Sequence, residues 1–188
     1  PKGVGLLYVK KGVHIPPYLC GGGHERGMRS GTENVPGIAG FGKACEIAID
    51  GMDANRAKVT ELRDALLAGI KAEIPDIRVN TPVELPESSM PYVLNVSFLG
   101  TRGEVILHML ETEGIFVSTG SACSSNKKQK GSHVLNAMGL TPDEIEGAIR
   151  FSLSPMNTME EIEYTVEKLK KAVESNRRML AIAGKKRR

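Results

Sequence analysis

The sequence has few aromatic residues, few cysteines and no long apolar run. Trp is absent and aromatic residues make up 4% of the chain, so we expect a mostly aliphatic core. The three cysteines, Cys20, Cys45 and Cys123, form no C-x-x-C pair. This argues against a disulfide framework or a zinc site and favours a reducing, cytoplasmic compartment. No apolar stretch reaches the roughly 18 residues that a membrane span needs, and no signal peptide is recognisable.

Charge of neither sign dominates the chain. Its 25 basic and 22 acidic residues give a formal net charge of +3. Such a balance gives no reason to expect direct nucleic-acid binding. The terminal run 185–188 is locally basic; we interpret it as a solvated tail, with an acidic partner surface as the alternative. Apolar residues make up 40% of the sequence, which is enough for a buried core.

Apolar periodicity and turn residues divide the chain into alternating helices and strands. Helices are predicted over 35–51, 55–73, 103–113 and 158–181, and a further one begins at Thr141. The helix over 55–73 has an apolar stripe of Val59, Leu62, Leu66, Leu67 and Ile70, and capping-box patterns open the helices at Thr141 and Thr158. Strands are predicted over 4–9, 77–80, 92–98, 114–118 and 148–154. Glycines and prolines leave residues 10–34 irregular. The alternation predicts an α/β fold, with a domain seam within the two helices between 35 and 74.

Cys123 lies in a polar segment, TGSACSSNKKQKG at 119–131, rather than in an apolar run. Three lysines follow it, and nearby cations lower the pKa of a thiol and increase its thiolate fraction. The composition predicts an exposed and poorly ordered loop. We therefore interpret Cys123 as a reactive thiol; an incidental surface cysteine is the alternative.

The segment GGGHERGMRSGTEN at 21–34 is suited to binding an anion. Clustered glycines let backbone amides approach an anion closely, and the segment runs into a helix start. Arg26 and Arg29 add positive charge, and Thr32 adds a hydroxyl. The segment is not a P-loop, because the G-x-x-x-x-G-K-[ST] pattern is absent. A tight glycine turn with solvated arginines is the alternative.

Arg150 interrupts an otherwise apolar strand, AIRFS at 148–152. A buried arginine is costly unless it is paired, and its planar fork suits a carboxylate. Arg150 is thus a candidate carboxylate ligand or a member of an internal ion pair.

The remaining cysteines and histidines are less informative. Cys45 lies on an apolar helical face and is predicted to be part of the core, whereas Cys20 abuts the glycine run and is left open, with a structural role favoured. The four histidines show no metal-ligand spacing, so no metal site is expected. The role of His24, within the glycine-rich segment, is also left open.

Four segments together resemble the cysteine desulfurases of the class V aminotransferase group, which are fold-type-I pyridoxal-phosphate enzymes. These are PKGVGLLYV at 1–9, the glycine-rich segment, VSTGSACSS at 117–125 and IRFSLS at 149–154. The resemblance implies that residues 1–50 close the large, cofactor-binding domain. It also implies that residues 51–188 form the small C-terminal domain, an α/β unit with a short, mostly antiparallel sheet packed on helices.

The same resemblance assigns roles to the candidate residues. Cys123 would accept sulfur, Thr32 would contact the cofactor phosphate from the neighbouring subunit of a homodimer, and Arg150 would hold the substrate carboxylate. The Schiff-base lysine of the family would lie upstream of Pro1. We therefore expect a chain that is the C-terminal half of the enzyme and inactive alone; organellar targeting stays open for the same reason.

The implied reaction converts L-cysteine to L-alanine and leaves a persulfide on Cys123. The persulfide sulfur would pass to an acceptor such as an iron–sulfur scaffold or a tRNA-thiolation factor. Two alternatives are a selenocysteine lyase, which the thiol does not exclude, and a non-catalytic sulfur-relay or dimerisation module.

Overall fold

The computed structural model describes residues 1–84, 90–119 and 132–185. The chain divides into two compact units, Pro1–Asp53 and Ala54–Arg188. Among the described residues, no helix is both long enough and apolar enough to cross a membrane.

The first unit consists of an irregular segment and one helix, α1 (Val35–Asp50). The side chain of Asn34 caps α1 by accepting a hydrogen bond from Gly37 N at 3.1 Å. Residues 4–9 do not form the predicted strand. A strand needs a hydrogen-bonded neighbour, and this unit contains no other strand, so β propensity alone does not produce one.

The second unit is built on a four-stranded sheet. Its strands are β1 (Ile77–Val79), β2 (Val93–Phe98), β3 (Ser118–Thr119) and β4 (Ala148–Ser152). They lie in the order β1-β2-β4-β3, and every neighbouring pair is antiparallel. The α/β fold with an antiparallel sheet, which the sequence predicts, is confirmed.

The strand predicted over 114–118 is wrong except at its last residue. The chain there first completes the end of α3 (Gly103–Thr112). Gly114 has a φ of +76°, and Ile115 N donates to Leu110 O at 3.0 Å. Because these groups satisfy the last carbonyls of the helix, the strand begins only at Ser118.

Helices cover one face of the sheet and form the main core. The long helices are α2 (Met52–Glu73) and α6 (Met159–Lys185), and α3 packs beside them. The predicted stripe of α2 is buried as expected: Val59, Leu62, Leu66, Leu67 and Ile70. The sheet contributes Leu94, Val96, Phe98, Ile149 and Phe151 to the same cluster.

Two short helices, α4 (His133–Ala137) and α5 (Pro142–Glu146), contact the opposite face of the sheet. There Leu135 and Leu140 form a small cluster with Ala148 of β4. The predicted capping box of α5 is present, since Thr141 N donates to Glu144 Oε2 at 2.7 Å. No other described helix covers the rest of this second face, here called the open face, and it carries the polar side chains described next.

Candidate functional site

Arg150 lies at the centre of the open face of the sheet. It pairs with Asn95 of β2 on one side and with Ser118 of β3 on the other. Its neighbours in sequence, Ile149 and Phe151, are buried in the core, so the period of two in β4 turns Arg150 outward. The residue is exposed rather than buried.

Arg150 has no ion pair with any described residue. Its guanidinium donates one hydrogen bond, from Nη2 to Ser118 Oγ at 3.2 Å. The described carboxylates near this face engage other partners; Glu144, for example, pairs with Arg78 at 2.7 Å. Within the described part of the chain, the internal ion pair that would be the alternative role for Arg150 is therefore not observed.

A cavity of about 320 Å³ lies beside Arg150. Such a volume is at the lower end of small-molecule pockets. Its polar lining residues are Asn80, Thr81, Asn95, Thr119, Ser132 and Arg150. The one charged group among them is the guanidinium, so the cavity favours a small anionic ligand.

A hydrogen-bond network stabilises the side of the cavity that lies farther from β3. Asn80 Nδ2 donates to Asn95 Oδ1 at 2.7 Å and to Ser97 Oγ at 2.8 Å. Asn95 N in turn donates to Thr81 Oγ1 at 2.8 Å. These residues belong to none of the motifs recognised in the sequence. The alternation in LNVSF, with apolar Leu94, Val96 and Phe98 on the core side, is the pattern that could have placed Asn95 opposite them.

Arg78 and Glu144 form an ion pair that connects β1 to α5 across the same face. The two side chains meet at 2.7 Å, and Thr141 donates to the same carboxylate. These donors, with the Arg78 bond as the larger effect, lower the pKa of Glu144 to about 2. Glu144 is thus ionised throughout the physiological range and stays with Arg78.

Cys123 lies outside the described residues, as do residues 120–131 of the segment 119–131 that the sequence predicts to be poorly ordered; its first residue, Thr119, is described. The residues that flank this segment are described: Thr119 belongs to β3, and Ser132 caps α4. Both line the cavity that contains Arg150.

The glycine-rich segment of the first unit forms a turn around Ser30. Ser30 N donates to Leu19 O at 3.1 Å, and its hydroxyl donates to Gly22 O at 2.9 Å. A short 3₁₀ turn lies at His24–Gly27, between Gly22 and Ser30, and in it Glu25 and Arg26 adopt positive φ values of 51° and 57°.

Thr32 is exposed, and its hydroxyl has no hydrogen-bond partner among the described residues. At the preceding Gly31, φ is +114° and an added Cβ would lie 2.8 Å from Arg29 Nη1. A hydroxyl without a described partner and the guanidinium of Arg29, which donates to Gly31 O at 3.3 Å, fit a phosphate group.

The prediction that Cys45 belongs to a core is wrong. Cys45 and Cys20 are both exposed free thiols. The apolar face of α1 is accessible because no residue of the first unit is buried within that unit. An apolar stripe therefore predicted the helix correctly but not the burial of its side chains. Cys20 Sγ donates to Pro17 O at 3.7 Å.

Comparison with known proteins gives concordant matches. The family described as "Aminotransferase class-V" matches residues 1–165. A cysteine desulfurase IscS of Clostridium botulinum is 45% identical over 179 residues, which is 95% of this chain and 45% of that protein. A solved NifS-like protein is 39% identical with a TM-score of 0.76, covering 89% of this chain and 41% of that chain. A NifS-like protein from Rickettsia africae gives 30% identity and a TM-score of 0.71, with 86% and 41% covered.

The fold of the chain matches part of the fold-type-I enzymes to which these NifS-like structures belong. It belongs to the class V aminotransferase family, and the predicted resemblance to cysteine desulfurases is confirmed. The chain spans somewhat less than half the length of the curated relatives that it matches, 45% in the case of the Clostridium protein.

Proposed function

We propose that this chain is the C-terminal part of a cysteine desulfurase that uses pyridoxal phosphate to convert L-cysteine to L-alanine and a persulfide on Cys123. One observation carries the proposal. Arg150 faces a cavity with no described acidic partner, and Thr119, four residues before Cys123, lines the same cavity.

Arg150 is the proposed ligand of the substrate carboxylate. Ser118 accepts a hydrogen bond from Nη2, so the guanidinium is held from the β3 side, and its remaining donors have no partner among the described residues. A carboxylate can take two parallel hydrogen bonds from such a fork. L-Cysteine and selenocysteine both present this carboxylate, so Arg150 alone does not distinguish between them.

Cys123 is the proposed sulfur acceptor. Four residues of extended chain span about 14 Å at most, so a thiol at position 123 stays within reach of the cavity that Thr119 lines. The thiolate would attack the substrate sulfur and form an S–S bond as the C–S bond breaks. The electron pair of the broken bond stays with carbon, which is protonated to give alanine.

Thr32 is the proposed contact for the cofactor phosphate, across a homodimer. When bound, pyridoxal phosphate supplies an electron sink for the substrate carbons. The Schiff-base lysine would come from residues that precede Pro1 in the complete protein, so we expect residues 1–188 to be inactive alone. Exposed apolar residues of the first unit, including Leu6, Leu7 and Tyr8, support contacts with further protein.

The proposed partners and location follow the same assignment. The persulfide sulfur would pass to an acceptor protein, an iron–sulfur scaffold or a tRNA-thiolation factor, in the cytoplasm. The first relatives are named IscS, which supports the first kind of acceptor. The exposed free thiols Cys20 and Cys45 are consistent with a reducing compartment.

The test is a pair of cysteine variants in the complete enzyme. Cys123→Ser keeps the size of the side chain and loses the thiolate, so the variant should bind cofactor and L-cysteine but release no sulfide. Cys20→Ser is the matched control, because Cys20 is also an exposed free thiol, and it should retain full sulfide release. After one turnover, mass spectrometry of the enzyme should find the added sulfur on Cys123.

Three outcomes would contradict the proposal. Sulfide release by Cys123→Ser together with its loss in Cys20→Ser would move the acceptor to Cys20. Sulfur relay without any turnover of L-cysteine by the complete protein would favour the non-catalytic alternative. A preference for selenocysteine over cysteine in the same assay would identify the lyase.

A further inference from the structure

We propose that Asn95 supplies a second hydrogen-bond donor to the carboxylate of the amino-acid substrate, and that Asn80 is the positioning residue that aims it. The inference rests on the proposed function, since it concerns the carboxylate that Arg150 would bind. It assigns the β2 side of the cavity to substrate recognition.

The register of the sheet places Asn95 beside Arg150. The two residues are direct cross-strand partners, and both lie on the open face. Side chains at such positions start about 5 Å apart at Cβ. Both also line the cavity. A carboxylate bound at the guanidinium therefore lies within reach of the Asn95 amide.

The orientation of the Asn95 amide is determined by Asn80. Asn80 Nδ2 donates to Asn95 Oδ1 at 2.7 Å. The carbonyl end of Asn95 therefore faces β1, and its Nδ2 amino group lies on the other side. No described residue accepts a hydrogen bond from that amino group. Asn95 thus presents two unused N–H donors at a cavity whose charged group is cationic.

The orientation of the Asn80 amide leaves one of its own polar atoms unpaired. It is 7% exposed, and its Nδ2 group serves both Asn95 Oδ1 and Ser97 Oγ. Its own Oδ1 is buried without a partner among the described residues. With Asn95 kept as it is, rotating the Asn80 amide alone by half a turn would set two acceptor oxygens, of Asn80 and Asn95, against each other. An unpaired buried carbonyl is unfavourable, which is consistent with a role in orienting Asn95 rather than in stability.

The arrangement predicts which ligands the cavity distinguishes. One N–H donor of Asn95 beside the fork of Arg150 matches the acceptor oxygens of a carboxylate, so an α-amino acid would bind here and the corresponding amine would not gain from Asn95. The network would therefore bind amino acids more tightly than amines of the same size.

The experiment compares two ligands of the complete, cofactor-loaded enzyme. L-Cysteine carries the carboxylate, and cysteamine has the same amine and thiol without it. In Asn95→Ala we expect the KM for L-cysteine to rise about 10-fold to 100-fold, as for loss of a hydrogen bond to a charged group. The inhibition constant of cysteamine should change by less than about twofold, since no such bond exists to lose. A binding titration with L-alanine should reproduce the loss without turnover.

Further variants separate positioning from folding. Asn95→Asp keeps an oxygen for Asn80 but replaces the donor with a carboxylate oxygen, so it should fold and bind L-alanine more weakly than Asn95→Ala does. Asn80→Ala should raise the KM for L-cysteine with a smaller change in kcat. Ser152→Ala is the control, an exposed side chain on the same face of β4 outside this cavity, and should behave as the parent.

The outcomes distinguish this inference from the proposed function. If Arg150→Lys raises the KM and both Asn95 variants do not, the inference fails while the proposed function stands. If Asn95→Ala weakens the binding of L-cysteine and of cysteamine equally, Asn95 does not recognise the carboxylate, and the inference also fails. If Arg150→Lys has no effect and the enzyme releases no sulfide from L-cysteine, the proposed function itself is wrong.

Discussion

Replacing Arg177 by methionine should destabilise the second unit more than any neighbouring surface change. Arg177 lies half-buried on α6, and its Nε donates to Leu99 O at 3.0 Å. Its Nη2 donates to Pro75 O at 2.9 Å and to Asp76 O at 3.1 Å. One guanidinium thus binds the segment that enters β1 and the segment that leaves β2.

The carbonyls that Arg177 binds have few other donors. Asp76 has a φ of +53°, which takes the chain out of regular structure just before β1. The carbonyl of Asp76 also accepts from Leu99 N, so the two segments are already joined there. Without Arg177, the carbonyls of Pro75 and Leu99 would depend on water.

The expected loss can be worked from these three bonds. The half-buried bond from Nε is worth about 1.5 kcal/mol as a charged hydrogen bond, and the two exposed bonds from Nη2 about 0.5 kcal/mol each. Methionine keeps the packing of the aliphatic stem. We therefore expect a decrease of about 2 to 3 kcal/mol in the free energy of unfolding, and a decrease in Tm of about 5 to 10 °C for a chain of this length.

The assay is urea and thermal unfolding of the 188-residue chain followed by circular dichroism. Arg178→Met is the matched control, because Arg178 is the next residue, is exposed and makes no hydrogen bond or ion pair to a described residue. Equal midpoints for the two variants would refute the reasoning, since the same charge is removed in both. Arg177→Lys should fall between parent and Arg177→Met, because a point charge cannot reach all three carbonyls.

Three further predictions concern single contacts. In the complete enzyme Thr32→Val should weaken cofactor binding about 10-fold to 100-fold, measured by cofactor fluorescence, and an unchanged affinity would remove Thr32 from the phosphate site. Gly147→Ala should lower the free energy of unfolding, measured in urea, by about 1 to 3 kcal/mol, because a Cβ would lie 2.3 Å from Phe98 O. Glu144→Gln should be less stable than the parent near pH 6. Because the Arg78 partner lowers the folded pKa of Glu144 to about 2, the stabilisation exists above the unfolded pKa and is lost as the pH falls towards 2. The two unfolding midpoints should therefore converge in acid, and a constant gap would contradict this.

Most of the second unit is predictable from its sequence because its local patterns agree with its packing. The stripe of α2, the capping boxes at Thr141 and Thr158, and the alternation in β4 each give the observed element. Agreement between propensity, capping and burial is what makes such patterns informative.

The errors arise where a pattern depends on residues distant in sequence or outside the unit. Residues 4–9 have strand propensity and no strand to pair with, and Cys45 lies on an apolar face with nothing in its own unit to cover it. Propensity describes one segment, whereas pairing and burial need a second surface.

The candidate site divides in the same way. Arg150 is recognisable because an arginine is unusual in an apolar strand, but Asn95, inside β2, and Asn80, just after β1, are ordinary polar residues until the register is known. Only the antiparallel pairing of β1, β2 and β4 brings them onto one face beside the guanidinium.

Adjacent residues of this sheet face opposite sides: one side packs in the core, and the other lines the cavity. Ile149 is fully buried among the helices, whereas Arg150, its neighbour, faces the cavity on the other side. Asn95 and Val96 repeat the division on β2. Because strands alternate with a period of two, changes at the core-facing positions act on the free energy of unfolding, and changes at the cavity-facing positions act on ligand affinity. This separation is why Arg150, whose one hydrogen bond to a described residue is to the half-buried Ser118, can be altered at little cost to the fold, and why we expect such a change to act on what the cavity binds.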